Sequence, residues 1–425
     1  MSNYDAIIVG ARVGGAPLAM LLARAGHKVL LVDRAEFGSD TMSTHFIKRT
    51  GASRLERWGL IPELEKIGTP AIREMNFYLG DNIHLKGEAP PHDGMGTDWT
   101  PRRFYLDKIL VNAAIEAGAE AREKFTVKEL LFEDGRVVGI RGTDATGKEY
   151  IDKAKVVVGA DGVNSMVAKS VNAQMYIDAG IHTCGYYAYY SGMRDRDDAG
   201  ELYMPEDERR FYITFPTNDN LDLVFLFWPT EMQKIVRSNT EKAFAECLKL
   251  VPKLEARVNS GQRETRFTGT PLFYNYFRRA HGPGWALVGD SALHRDPIGA
   301  QGITNAFAHA DLLAEELIMA LDGKKEIDHA LADYDRRQFE LLKMMFDYNV
   351  DLAMLKPMSA EDKAMMAALA ADPEAAAMFF GVFIGSTPFQ DAFPPEKLRE
   401  FAESTEKGKQ IAAQAMRKME EGVLA

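Results

Sequence analysis

A glycine-rich turn near the amino terminus constrains this chain more than any other feature. The apolar run Ala6–Val9 leads into the turn, a helical pattern follows to Ala25, and a second apolar run covers Val29–Val32. This alternation of strand, helix and strand within about 30 residues predicts a βαβ unit on a parallel sheet.

Each glycine of the turn has its own physical use. Gly10 allows the tight turn out of the strand, and Gly15 lets the helix pack close to the sheet. The helix begins near Gly14 and points free N–H groups out of the turn, which suits a pyrophosphate. Asp33, at the end of the second strand, is placed to accept hydrogen bonds from a ribose. The frame therefore predicts a bound dinucleotide.

One position departs from the G-x-G-x-x-G pattern, because Arg12 stands where the middle glycine lets the backbone approach the pyrophosphate. In one interpretation, Arg12 swings aside and adds a cationic contact to the phosphates. In the other, the segment is an ordinary βαβ unit without a nucleotide. The otherwise complete frame up to Asp33 favours nucleotide binding.

Two further strand ends carry glycine and aspartate. The buried run Val156–Val158 ends in Gly159–Gly162, which by itself is often only a connection. The run Trp285–Val288 ends in Gly289 and Asp290, and the segment Pro297–Gly302 then precedes a helix. A carboxylate at such a strand end suits a sugar-like hydroxyl, and a bare backbone before a helix N-terminus suits an anion on a ligand.

The composition limits the class of protein. The chain has 425 residues and a formal net charge of −11, so nucleic acid is an unexpected partner. Two cysteines, Cys184 and Cys247, cannot build a disulfide framework, and no apolar run approaches the ~20 residues of a membrane span. The amino terminus lacks the pattern of a secretory signal. We therefore expect a cytoplasmic protein without a membrane span.

Together, the three glycine motifs resemble those of the FAD-dependent aromatic hydroxylases, the single-component flavoprotein monooxygenases related to p-hydroxybenzoate hydroxylase. The first motif matches as Gly10-x-Arg12-x-x-Gly15 with Asp33, and the second matches as Gly159–Gly162. The third matches as Gly289-Asp290 followed by Pro297–Gly302, and the resemblance extends over about residues 1–320.

The resemblance implies an α/β fold with three parts. A Rossmann-like FAD-binding domain comprises residues 1–75, 100–175 and 280–325. An inserted substrate domain, 76–99 and 176–279, forms an antiparallel sheet, as its aromatic and β-branched runs also indicate. Residues 326–425 form a helical C-terminal region.

The resemblance also assigns cofactor contacts. It places Asp33 at the adenosine ribose, Asp290 at the ribitol or pyrophosphate, and Pro297 near the reactive edge of the flavin. For Arg49 and Arg103, a solvated surface arginine is the alternative. The full predicted FAD-binding set is Gly10, Arg12, Gly14, Gly15, Asp33, Arg34, Arg49, Arg103, Val127, Asp161, Gly289, Asp290, Pro297, Gly299, Gln301, Gly302 and Ile303. Ala300 and His309 depart from the family pattern, which has glycine and aspartate there.

The substrate pocket is predicted between the FAD domain and the aromatic sheet. Strand alternation sends Tyr187 and Tyr189 to one face, where they are predicted to contact the substrate, with plain sheet packing as the alternative. Pro297 and His45 are the predicted catalytic residues. The alternative for His45 is a helix-start histidine without such a role. No metal site is predicted.

The resemblance implies a reaction in which NADH or NADPH reduces FAD and molecular oxygen then forms a flavin hydroperoxide. This species hydroxylates an aromatic or polyketide-like small molecule. Two alternatives stay open: an FAD-dependent reductase of the geranylgeranyl-reductase type, and a catalytically idle FAD-binding protein. Halogenation is disfavoured because the W-x-W-x-I-P motif of flavin-dependent halogenases is missing, and no two of the tryptophans are two residues apart. A homodimer is left open.

Overall fold

The computed structural model describes residues 2–193, 195–206 and 208–392, so the stretch 393–425 of the predicted helical region lies outside the described residues. The strands are β1 (Ser2–Val9), β2 (Val29–Val32), β3 (Ala71–Ile72), β4 (Glu74–Leu79), β5 (Ile83–Gly87), β6 (Asp98–Trp99), β7 (Glu120–Arg122), β8 (Thr126–Glu133), β9 (Arg136–Thr143), β10 (Glu149–Gly159), β11 (Met175–Ile181), β12 (Thr183–Ser191), β13 (Ala199–Met204), β14 (Phe211–Thr217), β15 (Leu221–Pro229), β16 (Gln262–Arg263), β17 (Thr268–Thr270), β18 (Tyr274–Arg278), β19 (His281–Gly282), β20 (Trp285–Leu287) and β21 (Leu293–His294). The helices are α1 (Gly15–Arg24), α2 (Arg49–Arg57), α3 (Ile61–Lys66), α4 (Arg103–Glu116), α5 (Met166–Ser170), α6 (Gln233–Ser238), α7 (Thr240–Leu248), α8 (Pro252–Ser260), α9 (Gly302–Leu321), α10 (Ile327–Ala353), α11 (Ala360–Ala371), α12 (Pro373–Ile384) and α13 (Phe389–Ala392).

The first sheet is the parallel sheet that the βαβ pattern predicts. Its order is β19-β20-β10-β1-β2-β7, and β1 pairs in parallel with both β2 and β10. Every residue of β2 is buried, as expected for a strand covered on both faces. The carboxyl ends of β1, β10 and β20 therefore lie side by side, and each of them runs into one of the three glycine motifs.

The turn between β1 and α1 requires glycine at two positions. Gly10 has a φ of +110°, and a Cβ there would lie 2.3 Å from the carbonyl oxygen of Ala160. A Cβ on Gly15 would lie 1.9 Å from the carbonyl oxygen of Gly10. Both predicted roles, a tight turn and close packing of helix on strand, are confirmed.

A hairpin, β8–β9, extends this sheet beyond β10. Asp134 and Gly135 have φ values of 48° and 78°, the positive values that a type I′ turn needs. The hairpin predicted from the Asp-Gly pair is thereby confirmed.

The second sheet has the order β16-β12-β15-β14-β13-β4-β5, and β17 pairs with β12. Both of its faces are covered. The inner face joins a core with α11 and α12, and the outer face packs against α6, α7 and α8. The predicted antiparallel order is wrong for one pair, since β13 runs parallel to β4. The reason is topological, because β4 reaches the sheet from the distant segment 74–79 rather than through a hairpin.

A small third sheet has the order β11-β18-β21. Within the described residues, no single helix is both long and apolar enough to cross a membrane. One bent pair, Asp362–Ala371 with Pro373–Ile384, passes that test jointly, with an angle of 117° between its halves.

The helix predicted from His45 to Trp58 begins later than expected, at Arg49. His45 has a φ of 63°, which is incompatible with a right-handed helix, and Ile47 forms a β-bridge with Trp99 instead. The prediction of His45 as a helix-start residue is therefore wrong.

Candidate functional site

The three glycine motifs meet at one edge of the parallel sheet. Gly10 touches Ala160 of the second motif, and a Cβ on Gly14 would lie 3.8 Å from the Gly289 nitrogen of the third. The Ser291 hydroxyl donates to the carbonyl oxygen of Gly159 at 2.6 Å. The structure thus joins segments that lie up to 280 residues apart into one site.

Asp33 fixes the first turn. Its Oδ2 accepts a hydrogen bond from the Ala11 N–H at 2.8 Å, and its Oδ1 accepts one from the Ala35 N–H at 2.8 Å. The Phe125 N–H donates to the Asp33 backbone carbonyl at 2.8 Å, which places the start of β8, where Val127 lies, next to the backbone of Asp33. Arg34 is exposed beside it.

Arg12 turns away from the glycine turn. Its Nη1 lies 3.0 Å from Asp107 Oδ2, and its Nη2 donates to the Ser39 hydroxyl at 3.0 Å. Arg103 makes a bidentate pair with the same carboxylate, at 2.9 and 3.1 Å. Asp107 is only 3% exposed, and it joins the two predicted cofactor arginines in one cluster. A side chain at position 12 is accommodated because Asp107 draws it out of the turn.

Two helix N-termini open at this edge of the sheet without caps. The N-cap residues, Gly14 of α1 and Gln301 of α9, make no side-chain cap, and neither helix has an acidic residue in its first turn. Gly302 is exposed, and a Cβ there would meet nothing within 4 Å. Each terminus therefore offers unpaired N–H groups and a positive dipole end to a negatively charged ligand.

Hydrogen bonds with His309 and Tyr276 fix the turn after β20. Gly289 donates its N–H to His309 Nδ1 at 2.8 Å, and burial lowers the pKa of His309 to about 4, which keeps this nitrogen an acceptor. The Tyr276 hydroxyl donates to the Asp290 carbonyl at 2.6 Å. The side chain of Asp290 stays exposed in the cleft. His309, at the family's aspartate position, thus orients the turn that carries Asp290.

Two predicted cofactor residues have other partners. Asp161 accepts hydrogen bonds from the Ser165 hydroxyl at 2.5 Å and from the Met166 N–H at 2.6 Å, so its carboxylate caps α5. The Arg49 guanidinium is buried, lies 3.4 Å from Asp98 and donates to carbonyl oxygens, including that of Arg73 at 2.9 Å. Its nitrogens are committed to the protein interior, which corrects its assignment to the FAD phosphates.

The segment Pro297–Gly302 is a rigid turn between the two sheets. The Asp296 carboxylate accepts from the Ile298 N–H at 3.1 Å and from the Thr183 hydroxyl at 2.5 Å. Burial raises the pKa of Asp296 to about 7. Ala300 has a φ of 49°, the left-handed region that glycine favours, which explains why the family pattern has glycine there.

His45 and the two predicted substrate tyrosines form one cluster. His45 Nε2 and the Tyr189 hydroxyl are 2.5 Å apart and share a hydrogen bond, and the Tyr187 and Tyr189 rings are 5.5 Å apart. Burial, reinforced by Arg103 and Arg102, lowers the pKa of His45 to about 3, so the imidazole is neutral. Burial also raises the pKa of Tyr187 to about 12. As the alternation predicts, Tyr187 and Tyr189 share the inner face of the sheet, and Tyr190 lies on the outer face.

The inner face of the second sheet meets the turn through an apolar cluster that we name the aromatic wall. Two of its rings, Phe225 and Phe227, are stacked with their centroids 4.3 Å apart. Ile298 and Ala300 of the turn and Phe383 of α12 belong to the same core. The wall comprises Tyr187, Tyr189, Phe211, Phe215, Phe225, Phe227, Phe273, Phe380 and Phe383.

The sequence reasoning missed Asp107 and Asp296. The i,i+4 spacing of Arg103 and Asp107 on a predicted helix is a signal that could have found the first. Nothing local marks Asp296, whose partners Thr183 and Asn275 come from other strands. Among the described residues, no cluster of three or more His, Cys, Asp or Glu side chains could hold a metal ion.

Curated relatives share most of the chain. Digeranylgeranylglycerophospholipid reductase 1 of Methanopyrus kandleri is 25% identical over 370 residues, which cover 84% of this chain and 91% of the relative. Conditioned medium factor receptor 1 of Dictyostelium discoideum is 23% identical over 365 residues, covering 83% of this chain and 70% of the relative.

Solved structures share the fold. The myxobacterial chondrochloren halogenase CndH superposes with a TM-score of 0.77 at 20% identity, covering 92% of this chain and 99% of the halogenase. The probable FAD-dependent monooxygenase pqsL of Pseudomonas aeruginosa gives a TM-score of 0.70 at 22% identity, covering 86% and 99%. Residues 3–346 match the FAD binding domain family. The chain therefore belongs to the FAD binding domain family and is an FAD-dependent oxidoreductase.

Proposed function

We propose that the protein is a monooxygenase that uses NADH or NADPH and molecular oxygen to hydroxylate an aromatic or polyketide-like small molecule. The observation that carries the proposal is the aromatic wall, which belongs to the same buried apolar core as Ile298 and Ala300 of the turn before α9. Flat aromatic surfaces beside a flavin site suit a planar substrate, because rings pack favourably edge to face or offset.

The residues present fit FAD. The uncapped N-termini of α1 and α9 suit the pyrophosphate and the pyrimidine end of the flavin, and the bare turns at Gly10, Gly289 and Gly302 leave the backbone approachable. Asp33 and Asp290 would hold the ribose and the ribitol or pyrophosphate. Arg12 and Arg103, both paired with Asp107, would add positive charge beside the phosphates. When bound, FAD supplies the redox chemistry between the nicotinamide donor and oxygen.

The chain's own residues have three tasks in this proposal. The N-terminus of α9 stabilises negative charge at the pyrimidine end of the cofactor. The aromatic wall and Pro297 exclude water from the reacting edge. Neutral His45 holds the Tyr189 hydroxyl, and Tyr187 and Tyr189 then orient the substrate by ring contacts and hydroxyl hydrogen bonds.

A structural neighbour supports the aromatic substrate class. PqsL of Pseudomonas aeruginosa, solved in complex with 2-aminobenzoylacetate, superposes with a TM-score of 0.71 at 22% identity. That protein accommodates an aromatic molecule on the same fold.

A second candidate function is reduction of isoprenoid double bonds. It is favoured by the curated relatives, among which digeranylgeranylglycerophospholipid reductases are 25% identical to this chain. Such a reductase transfers reducing equivalents to its substrate without inserting oxygen, so the two functions differ in their need for oxygen.

The decisive experiment uses labelled oxygen. Purified FAD-loaded protein is screened with aromatic and polyketide-like compounds for those that accelerate NADH or NADPH oxidation, and the product of a hit is made under ¹⁸O₂. One labelled atom in the product, with hydrogen peroxide released by poor substrates, supports the monooxygenase. Equal product formation without oxygen, and no label, would refute it in favour of the reductase.

A further inference from the structure

Arg295 is a buried guanidinium without a partner. It is 7% exposed, and within the part of the chain that the structure describes, Nε, Nη1 and Nη2 are all buried and make no hydrogen bond. Buried polar groups are nearly always paired, and an exception points to an ion or ligand that completes it. Three unpaired donors on one cation present the fork that a planar oxyanion matches.

The neighbouring charges do not neutralise Arg295. The carboxylate that follows it, Asp296, is bound to Thr183 and to the Ile298 N–H. Asp290 attracts the guanidinium, but its own side chain is exposed to solvent, which screens its charge. An uncompensated positive charge is therefore enclosed at this point of the fold.

Lys48 adds a second buried cation. It is 1% exposed, and its ammonium donates to the Phe383 carbonyl and lies 4.4 Å from the centroid of the Phe383 ring. Asp98, whose negative charge acts on Lys48, accepts a hydrogen bond at 2.6 Å from the Arg49 N–H and lies 3.4 Å from the Arg49 Nε. Lys48 is within electrostatic range of Arg295, whose positive charge acts on its ammonium, while Asp98 opposes that effect.

Electrostatics agrees with this arrangement. Burial lowers the pKa of Arg295 to about 9, with Asp290 opposing the shift. Burial, reinforced by the repulsion from Arg295, lowers the pKa of Lys48 well below its ordinary value. An anion between the two side chains would reverse both effects.

The position of Arg295 and Lys48 indicates which ligand carries the anionic group. Arg295 lies two residues before the turn, whose Ile298 and Ala300 belong to the same apolar core as the aromatic wall, and Phe383, which Lys48 touches, is part of that wall. We propose that Arg295, assisted by Lys48, binds the carboxylate or phenolate of an otherwise apolar aromatic substrate. This inference rests on the proposed function, which places an aromatic substrate beside the wall. Arg295 and Lys48 then determine specificity for aromatic acids over their neutral analogues.

The test is a binding measurement that needs no turnover. FAD-loaded protein is titrated with 2-naphthoate and with 2-naphthamide, which have the same ring system and differ in charge, by calorimetry and by the change in flavin absorbance. One charge-assisted contact corresponds to roughly tenfold to a hundredfold in affinity, so the acid should bind tighter by that factor. Arg295→Met should reduce the preference to about threefold or less, and Arg295→Lys should keep part of it.

Thermal unfolding gives a second readout. Without ligand, Arg295→Met should melt at or above the wild-type temperature, because the substitution removes an unpaired buried charge. Naphthoate should raise the melting temperature of the wild type more than that of the variant. Arg210→Met is the control, since Arg210 also has a buried, unpaired Nε, whereas its Nη1 and Nη2 have partners in Arg209 and Met232.

The possible results distinguish a failure of the anion site from a failure of the proposed reaction. Equal affinity of the wild type for acid and amide, or a preference that survives Arg295→Met, would overturn the site. A shift of the FAD reduction potential in Arg295→Met without a change in ligand preference would assign the anion to the flavin and also overturn it. An intact acid preference in a protein that incorporates no labelled oxygen would sustain the site while refuting the proposed reaction.

Discussion

His45→Gln tests whether the imidazole under the aromatic wall is neutral. The pKa of His45 falls from its ordinary 6.5 to about 3, because the ring is fully buried and faces Arg103 and Arg102. The unfolded chain therefore binds a proton at higher pH than the folded chain does. The histidine's contribution to stability is complete above pH 6.5 and is lost as the pH falls toward 3.

The size of the change in unfolding free energy follows from the pH interval. At pH 5 the solution is 1.5 units below the ordinary pKa, and each unit corresponds to about 1.4 kcal/mol, so wild type should lose about 2 kcal/mol from this group. Glutamine keeps a donor and an acceptor for the Tyr189 hydroxyl but does not titrate. When the pH falls from 7.5 to 5, the unfolding free energy of the variant should therefore rise by about 2 kcal/mol relative to that of the wild type.

The assay is urea unfolding followed by tryptophan fluorescence at pH 7.5, 6 and 5. His329→Gln, which removes an exposed histidine, controls for the substitution itself. A difference between wild type and His45→Gln that stays constant over the three pH values would show that His45 is not buried as a neutral group, and the reasoning would fail.

Further substitutions test the cofactor edge. Arg12→Gly should leave the fold intact. It should change FAD affinity by about tenfold or less in a flavin-fluorescence titration, because only one charged contact is lost. Asp290→Ala should weaken FAD binding by roughly 1.5–3 kcal/mol, the contribution of a hydrogen bond to a charged group, and unchanged retention after gel filtration would remove that assignment. Gly299→Ala should destabilise the protein by about 1–3 kcal/mol, because its Cβ would lie 2.1 Å from Asn349 Oδ1. Gly302→Ala, with nothing within 4 Å, is the paired control, and equal melting temperatures for the two would contradict the packing argument.

The parts of the site that sequence could predict depend on local geometry. Gly10 is required by its positive φ and Gly15 by its close approach to Gly10 in the same turn, and the opposite faces of Tyr189 and Tyr190 follow from strand alternation alone. The start of α2 could not be predicted, because the left-handed backbone of His45 has no signal in its side chain. Arg49 was misassigned because its partner Asp98 lies 49 residues away on another element. Arg295 could not be predicted for the same reason, because only the folded chain shows that its guanidinium has no hydrogen-bond partner among the described residues.

The contact between Lys48 and Phe383 has a consequence for biosynthesis. The two residues are 335 positions apart, so the ammonium meets its acceptor only after nearly all of the described chain has left the ribosome. At about 5–20 residues per second, translation of that interval takes roughly tens of seconds. The β1–β2 pair and the glycine turn are made early, whereas α12 is made late and adds Phe380 and Phe383 to the wall. All three glycine motifs, the last of which ends at Gly302, are therefore synthesised before α12 completes the aromatic wall.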